Sequence, residues 1–126
     1  MDLECGHVML NVSDLSASRE FYCEKLEFEV IEDHQGMFAF RSGSVRFSVM
    51  GGGTRLDLES ETGPNTTVMY RTADIEQTVS NLRAKGVEFL EDIQEAPGFM
   101  KHIALADPDN NLLFIAQYFR DPLQPA

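Results

Sequence analysis

The side chains best equipped for chemistry in this sequence are its histidines, cysteines and arginines. Cys5 and His7 stand two residues apart, so on a strand they share a face, and His102 joins that face if Ile103 and Leu105 point to the other. Such a His/Cys/His set could hold a divalent ion, provided Cys5 and His102 converge across a sheet. Nucleophilic catalysis has no frame: there is no G-x-S-x-G elbow, and neither Cys5 nor Cys23 has a patterned His–Asn or His–Asp partner. The stretch GGGTRL lacks both the Lys-Ser/Thr ending and the helix start of a phosphate loop. Cys23, beside Tyr22 and Leu26 on a helix, is expected to be buried and inert. His34, in the acidic hairpin EDHQG, is expected in a solvated turn.

The elements that must position these groups occur twice. A hydrophobic strand, an Asp, an amphipathic helix and more strand appear in GHVMLNVSDLSASREFYCEKLEFEVI and again in NTTVMYRTADIEQTVSNLRAKGVEFLE. Asp14 and Asp74 occupy the N-cap place in each copy. Leu15, Phe21, Tyr22 and Lys25–Leu26 recur near helical spacing, leaving Ser16, Ser18, Arg19, Glu20 and Glu24 to solvent, and Ile75, Val79 and Leu82 repeat the plan. Gly86 falls where a glycine ends the second helix. Strands are predicted at Phe28–Glu32, Met37–Arg41 and Val45–Met50, then at Glu88–Glu91, Met100–Ala106 and Leu112–Gln117. Both halves thus read βαβββ, an α+β class in which each helix covers one face of its sheet. The expected organisation is one domain over residues 1–126, with a first module over about 1–50, a flexible linker over about 51–65 and a second module over about 66–120. The tail RDPLQPA is expected to be poorly ordered unless it docks.

Composition narrows the partners. Ten Lys and Arg against 21 Asp and Glu give a net charge of −11, which repels nucleic acid and anionic lipid, and no apolar run is long enough to span a membrane. Two cysteines make no disulfide framework, and the acidic start MDLECGHVML has no signal-peptide character, so a cytoplasmic setting is expected.

Together, the segment VSDLSASREFYCEKLEFEV, the turn DPDNNLLF and the duplicated frame resemble the vicinal oxygen chelate superfamily, the group of glyoxalase I, bleomycin resistance proteins and extradiol dioxygenases. The resemblance spans nearly the whole chain. It implies paired βαβββ modules forming a curved, cup-shaped mixed sheet with helices on the convex side, a small molecule in the cup, often over a divalent metal, and frequent homodimerisation. The family's metal ligands lie on the first and last strands of each module. Those positions fall on His7, Ser48, Thr67 and Phe114, where acid-bearing members have Glu at the last. One imidazole, two neutral hydroxyls and a benzyl ring make a poor donor set. The expectation is therefore no metal and no other cofactor, with His7 as the ligand if a divalent ion does bind.

Strand alternation places Met9, Met37, Arg41, Arg46, Met50, Met69, Arg71 and Met100 on the same inner faces as those four positions. Methionine adapts to varied apolar shapes, and arginine recognises carboxylate or phosphate and stacks on rings. Arg41, Arg46 and Arg71 could equally be rim residues paired with surface acids. The expected function is a homodimeric, metal-independent binding protein for a polar-aromatic or anionic small molecule, contacted by His7, Met9, Arg46, Ser48, Thr67, Met69, His102 and Phe114. The alternatives are a lyase, isomerase or dioxygenase using His7 with non-standard ligands or as a general base, and a scaffold whose cup is filled by its own side chains.

Overall fold

The computed structural model describes residues 1–57 and 66–125; the segment 58–65, which holds most of the expected linker, lies outside the described residues. Contacts divide the chain into two units, Met1–Asp57 with Pro108–Asn110, and Leu58–Asp107 with Asn111–Ala126. The fold is α+β, and each unit has its own four-stranded sheet.

In the first unit the strands are β1 (His7–Asn11), β2 (Glu29–His34), β3 (Met37–Ser42) and β4 (Val45–Met50), in the order β1-β4-β3-β2. β1 runs parallel to β4, and the other pairs are antiparallel. Asp14 caps helix α1 (Leu15–Arg19), its carboxylate accepting from Ala17 N at 3.1 Å. The expected single helix then changes character: Glu20–Lys25 is π-helical, with Leu26 N donating to Phe21 O at 3.0 Å. The widened turn lets the adjacent Phe21 and Tyr22 both enter the core, their rings edge to face at 5.0 Å. Tyr22 and Phe47 each stack on Phe40 at 5.0 Å, so an aromatic column joins helix to sheet. Burying each such ring stabilises the fold by about 1.5–3 kcal/mol.

The second unit repeats the plan with β5 (Val68–Arg71), α2 (Ile75–Ala84), β6 (Gln94–Ala96), β7 (Met100–Ala106) and β8 (Leu112–Tyr118), in the order β5-β8-β7-β6. β5 is parallel to β8. Asp74 accepts from Gln77 N, and Gln117 Oε1 accepts a further orphan N–H from Ile75 at 2.9 Å. Gly86, at φ +85, closes the helix as expected. Ile75, Val79 and Leu82 of α2 are buried, as are Ile103 and Leu105 of β7 and Leu113 and Ile115 of β8.

Several expectations need correction. Residues 88–91 form no strand: Phe89 makes only an isolated bridge to Leu105, and β6 at Gln94–Ala96 pairs with β7 instead. Ser18, expected in solvent, is fully buried, and Arg19 lies half-buried with its guanidinium 5.1 Å from the Phe38 ring centre. His34 ends β2 instead of sitting in the turn. Cys23 is only partly buried, and that burial raises its thiol pKa. The early linker is anchored, not free. Gly53 N donates to Val12 O at 2.9 Å, and a Cβ on Gly53 would lie 2.6 Å from the Asn11 carbonyl carbon. In the tail, Asp121 Oδ1 accepts from Leu123 N at 2.9 Å and forms a local turn. Among the described residues no helix is long and apolar enough to cross a membrane.

Candidate functional site

In the first unit the helix-free face is set by strand register. Parallel pairing places His7 opposite Arg46 and Met9 opposite Ser48; antiparallel pairing places Ala39 opposite Ser48 and Arg41 opposite Arg46. Val8, Leu10, Phe47 and Val49 take the other parity, toward the helix. The structure thus brings His7, Ser48 and Arg46 together as alternation predicted.

Their polar atoms form one chain. Arg46 Nε donates to Ser48 Oγ at 3.0 Å, and Ser48 Oγ lies 3.4 Å from His7 Nδ1. With its oxygen accepting from Arg46, the Ser48 hydroxyl proton is free to point at Nδ1, an arrangement that suits the tautomer protonated at Nε2. At the other end, Arg46 Nη1 donates to Glu32 Oε1 at 3.1 Å, and Glu32 Oε2 meets His34 Nε2 at 2.9 Å. The Arg46 hydrogen bond, then that from His34, holds the Glu32 carboxyl below its ordinary range.

Glu32 and His34 were not anticipated on this face. The cause is a register shift between Val30 and Glu32: Val30 pairs with Phe40, Glu32 with Ala39, and Ile31 is the extra residue. Without the bulge, parity would turn Glu32 toward the helix. The alternating Glu32 and His34 in EDHQG were the available signal.

In the second unit, Met69 is opposite Phe114 in the β5–β8 pair, Ala104 is opposite Phe114 and His102 opposite Ala116 in the β7–β8 pair. The rings of His102 and Phe114 meet at 5.9 Å, tilted by 66°. Thr67 stands one residue ahead of β5 and is half-buried. His102 Nδ1 is buried and has no hydrogen-bond partner among the described residues.

The remaining candidates differ in use. Met9 is 53% exposed on its polar face. Arg41 is exposed and donates from Nε to its neighbour Gly43 O at 3.4 Å. Arg46 is the paired one, and Arg71 is exposed at the end of β5 without a carboxylate partner among the described residues.

These residues do not fit the divalent ion that the family resemblance implies. Ser48 Oγ already accepts from a guanidinium, a fixed positive charge beside the oxygen that would face a dication. Phe114 has no lone pair, and Thr67 offers a neutral hydroxyl. Cys5 precedes β1 and is exposed. Among the described residues no group of three His, Cys, Asp or Glu side chains could hold a metal ion.

The chain matches the family described as Glyoxalase/Bleomycin resistance protein/Dioxygenase superfamily over residues 5–115. It is 28% identical over 117 residues to biphenyl-2,3-diol 1,2-dioxygenase 2 of Rhodococcus globerulus, with 86% of this chain covered; it spans 59% of that relative's length. It is 27% identical over 118 residues to virulence protein STM3117 of Salmonella typhimurium, covering 89% of this chain and 82% of that one. The crystal structure of that virulence protein superposes with a TM-score of 0.74, at 26% identity, over 94% of this chain and 98% of the other. A glyoxalase family protein from Enterococcus faecalis gives a TM-score of 0.73 at 25% identity, over 90% and 96%.

Proposed function

Because the chain belongs to the Glyoxalase/Bleomycin resistance protein/Dioxygenase superfamily, we propose that it binds small organic molecules on the helix-free face of each sheet, taken by itself, and does so without a metal centre. The observation that carries this reading is Phe114. At the strand position that the resemblance assigns to an acidic ligand, an aromatic ring packs edge-on against His102. Around it, Met69 and the unpartnered Nδ1 of His102 supply an adaptable apolar surface and one polar contact, a combination suited to an aromatic body with a polar substituent. The Arg46–Ser48–His7 chain supplies prearranged donors on the first sheet. The same reading gives a homodimer, which sedimentation at micromolar concentration tests, and a cytoplasmic setting, which fractionation of the producing cells tests.

Elemental analysis of protein purified without chelators is expected to find divalent metal far below one equivalent. Calorimetric titration with small phenols and aromatic acids is expected to give saturable binding that Phe114→Ala weakens. One equivalent of metal, lost in His7→Ala, overturns the reading. That result is what the second reading expects, a lyase, isomerase or dioxygenase built around His7. It is favoured by the retained histidine and by the likeness to the biphenyl-diol dioxygenase.

A further inference from the structure

The second unit contains a cleft of about 550 Å³ that the reading above does not use. One wall is the turn from β5 into α2, with Arg71 and Thr72; the other is the segment leaving β8, with Tyr118, Phe119, Arg120 and Asp121. Its size falls within the range of small-molecule sites.

Both walls are fixed before any ligand arrives. Thr72 N donates to Ala116 O at 2.8 Å, and the Thr72 and Thr78 hydroxyls meet at 2.6 Å, holding the first wall to β8 and α2. Phe119 N donates to Phe99 O at 2.7 Å. The Phe99 ring is the anchor of the second wall: Tyr118 packs on it at 5.5 Å, and the Arg120 guanidinium lies 4.6 Å from its centre. Arg120 is therefore aimed by an aromatic contact and not by an acid.

Charge then decides what fits. Two arginines elsewhere are neutralised, Arg19 by Asp33 and Arg46 by Glu32, whereas Arg41 donates to a backbone carbonyl and Arg83 lies over the Phe89 ring. Among the described residues neither Arg71 nor Arg120 has a carboxylate partner. Asp121 lines the same cleft, yet its Oδ1 accepts from Leu123 N and it makes no ion pair with either arginine. Two guanidinium groups against one carboxylate leave +2 − 1 = +1 in the cleft of a chain whose net charge is −11. Of the N–H groups opening α2, those of Ile75 and Gln77 are already taken by Gln117 and Asp74. We propose that this cleft is an oxyanion site that takes the carboxylate or phosphate of a small aromatic acid between Arg71 and Arg120, its ring against Tyr118 and Phe119. The inference stands independently of whether the first sheet or Phe114 binds a ligand.

The test is titration of the full chain, followed by calorimetry and by amide chemical shifts, with phenyl phosphate, benzoate and neutral benzamide as probes. Phenyl phosphate and benzoate are expected to bind saturably, benzamide at least about tenfold more weakly, and the shifts to concentrate at Thr72, Phe119 and Arg120. Arg71→Gln and Arg120→Gln are each expected to weaken the acids about tenfold, with thermal unfolding unchanged in Arg71→Gln and slightly lowered in Arg120→Gln, which loses the contact with Phe99. Arg83→Gln, which removes the same charge from α2 outside the cleft, is the control. Equal weakening by Arg83→Gln would make the effect one of net charge and overturn the site. So would benzamide binding as tightly as benzoate, affinity indifferent to both cleft substitutions, or no binding of either acid at millimolar concentration.

Discussion

Residue by residue, the first sheet's polar face is governed by what Arg46 touches. One guanidinium serves Ser48 and Glu32 at once, so its charge is spent within the protein and its orientation is fixed. The pair has a pH signature. Glu32's folded pKa lies below the ordinary 4.5, so the pairing stabilises the fold at pH above that value, and the contribution is lost as pH falls through the lowered folded one. At pH 7 the urea midpoint of Glu32→Gln is expected to lie below that of the unaltered protein. The two should approach one another as pH falls below 4.5 and converge below the lowered folded value. A gap that persists unchanged into acid would show that Glu32 acts through packing and not through its charge. The difference at pH 7 is expected to be small, since both partners are part-exposed and water screens them.

At the level of elements, the first helix shows what periodicity conveys and what it omits. Asp14, Phe21 and Tyr22 were legible because a cap and an apolar stripe leave marks in sequence. Ser18 was not, because a small polar residue at a helix–sheet contact looks like a solvated one until the distance to the sheet is known. It is completely buried, and its hydroxyl has no partner among the described residues. Ser18→Ala is therefore expected to raise stability by about 1 kcal/mol, by removing an unsatisfied buried hydroxyl, and Ser18→Leu to lower it by about 1–3 kcal/mol through overpacking. Chemical denaturation of the two variants checks both signs; a loss on Ser18→Ala would mean that the hydroxyl has a bonding role. The strands divide in the same way. Alternation put Arg46, Ser48 and Met50 of β4 and Phe114 of β8 on the parity that the register gives them, because those central strands run without interruption. It failed at β2, where the extra Ile31 inverts parity, and at residues 88–91, where apolar Val87, Phe89 and Leu90 imitate a strand that has no ladder to join. For the candidate site, the positions were readable and the partners were not: His7, Ser48 and Arg46 could be placed on a face, while Glu32 and the Arg120–Phe99 contact depend on a bulge and on tertiary packing.

For the molecule as a whole, the turn that helped carry the family resemblance does structural work. Asp107 accepts from Asn111 N and Nδ2 at 2.8 and 2.9 Å and closes the β7–β8 connection, with Asn110 at φ +64. Asp109, 1% exposed, belongs with the first unit: it accepts from Ser13 N at 2.9 Å and from the Ser13 hydroxyl, 96 residues away in sequence. Asp109 O also accepts from Leu56 N, and Asn110 Nδ2 donates to Leu56 O, both at 2.8 Å. Within the first unit, the segment before α1 is thereby held to Pro108–Asn110 by a buried carboxylate, and Leu56 by the Asp109 carbonyl and the Asn110 amide. Removing that carboxylate strips the charge-assisted acceptor from Ser13 N and leaves a void, so Asp109→Ala is expected to cost about 2–3 kcal/mol in denaturant unfolding. Ser13→Ala should cost less, because its backbone N–H keeps the Asp109 partner. If the two groups act as one clamp, the double variant loses less than the sum of the single losses by at least about 0.5 kcal/mol. Strict additivity would instead mean that Asp109 stabilises the molecule through Leu56 and its own packing, with Ser13 a bystander.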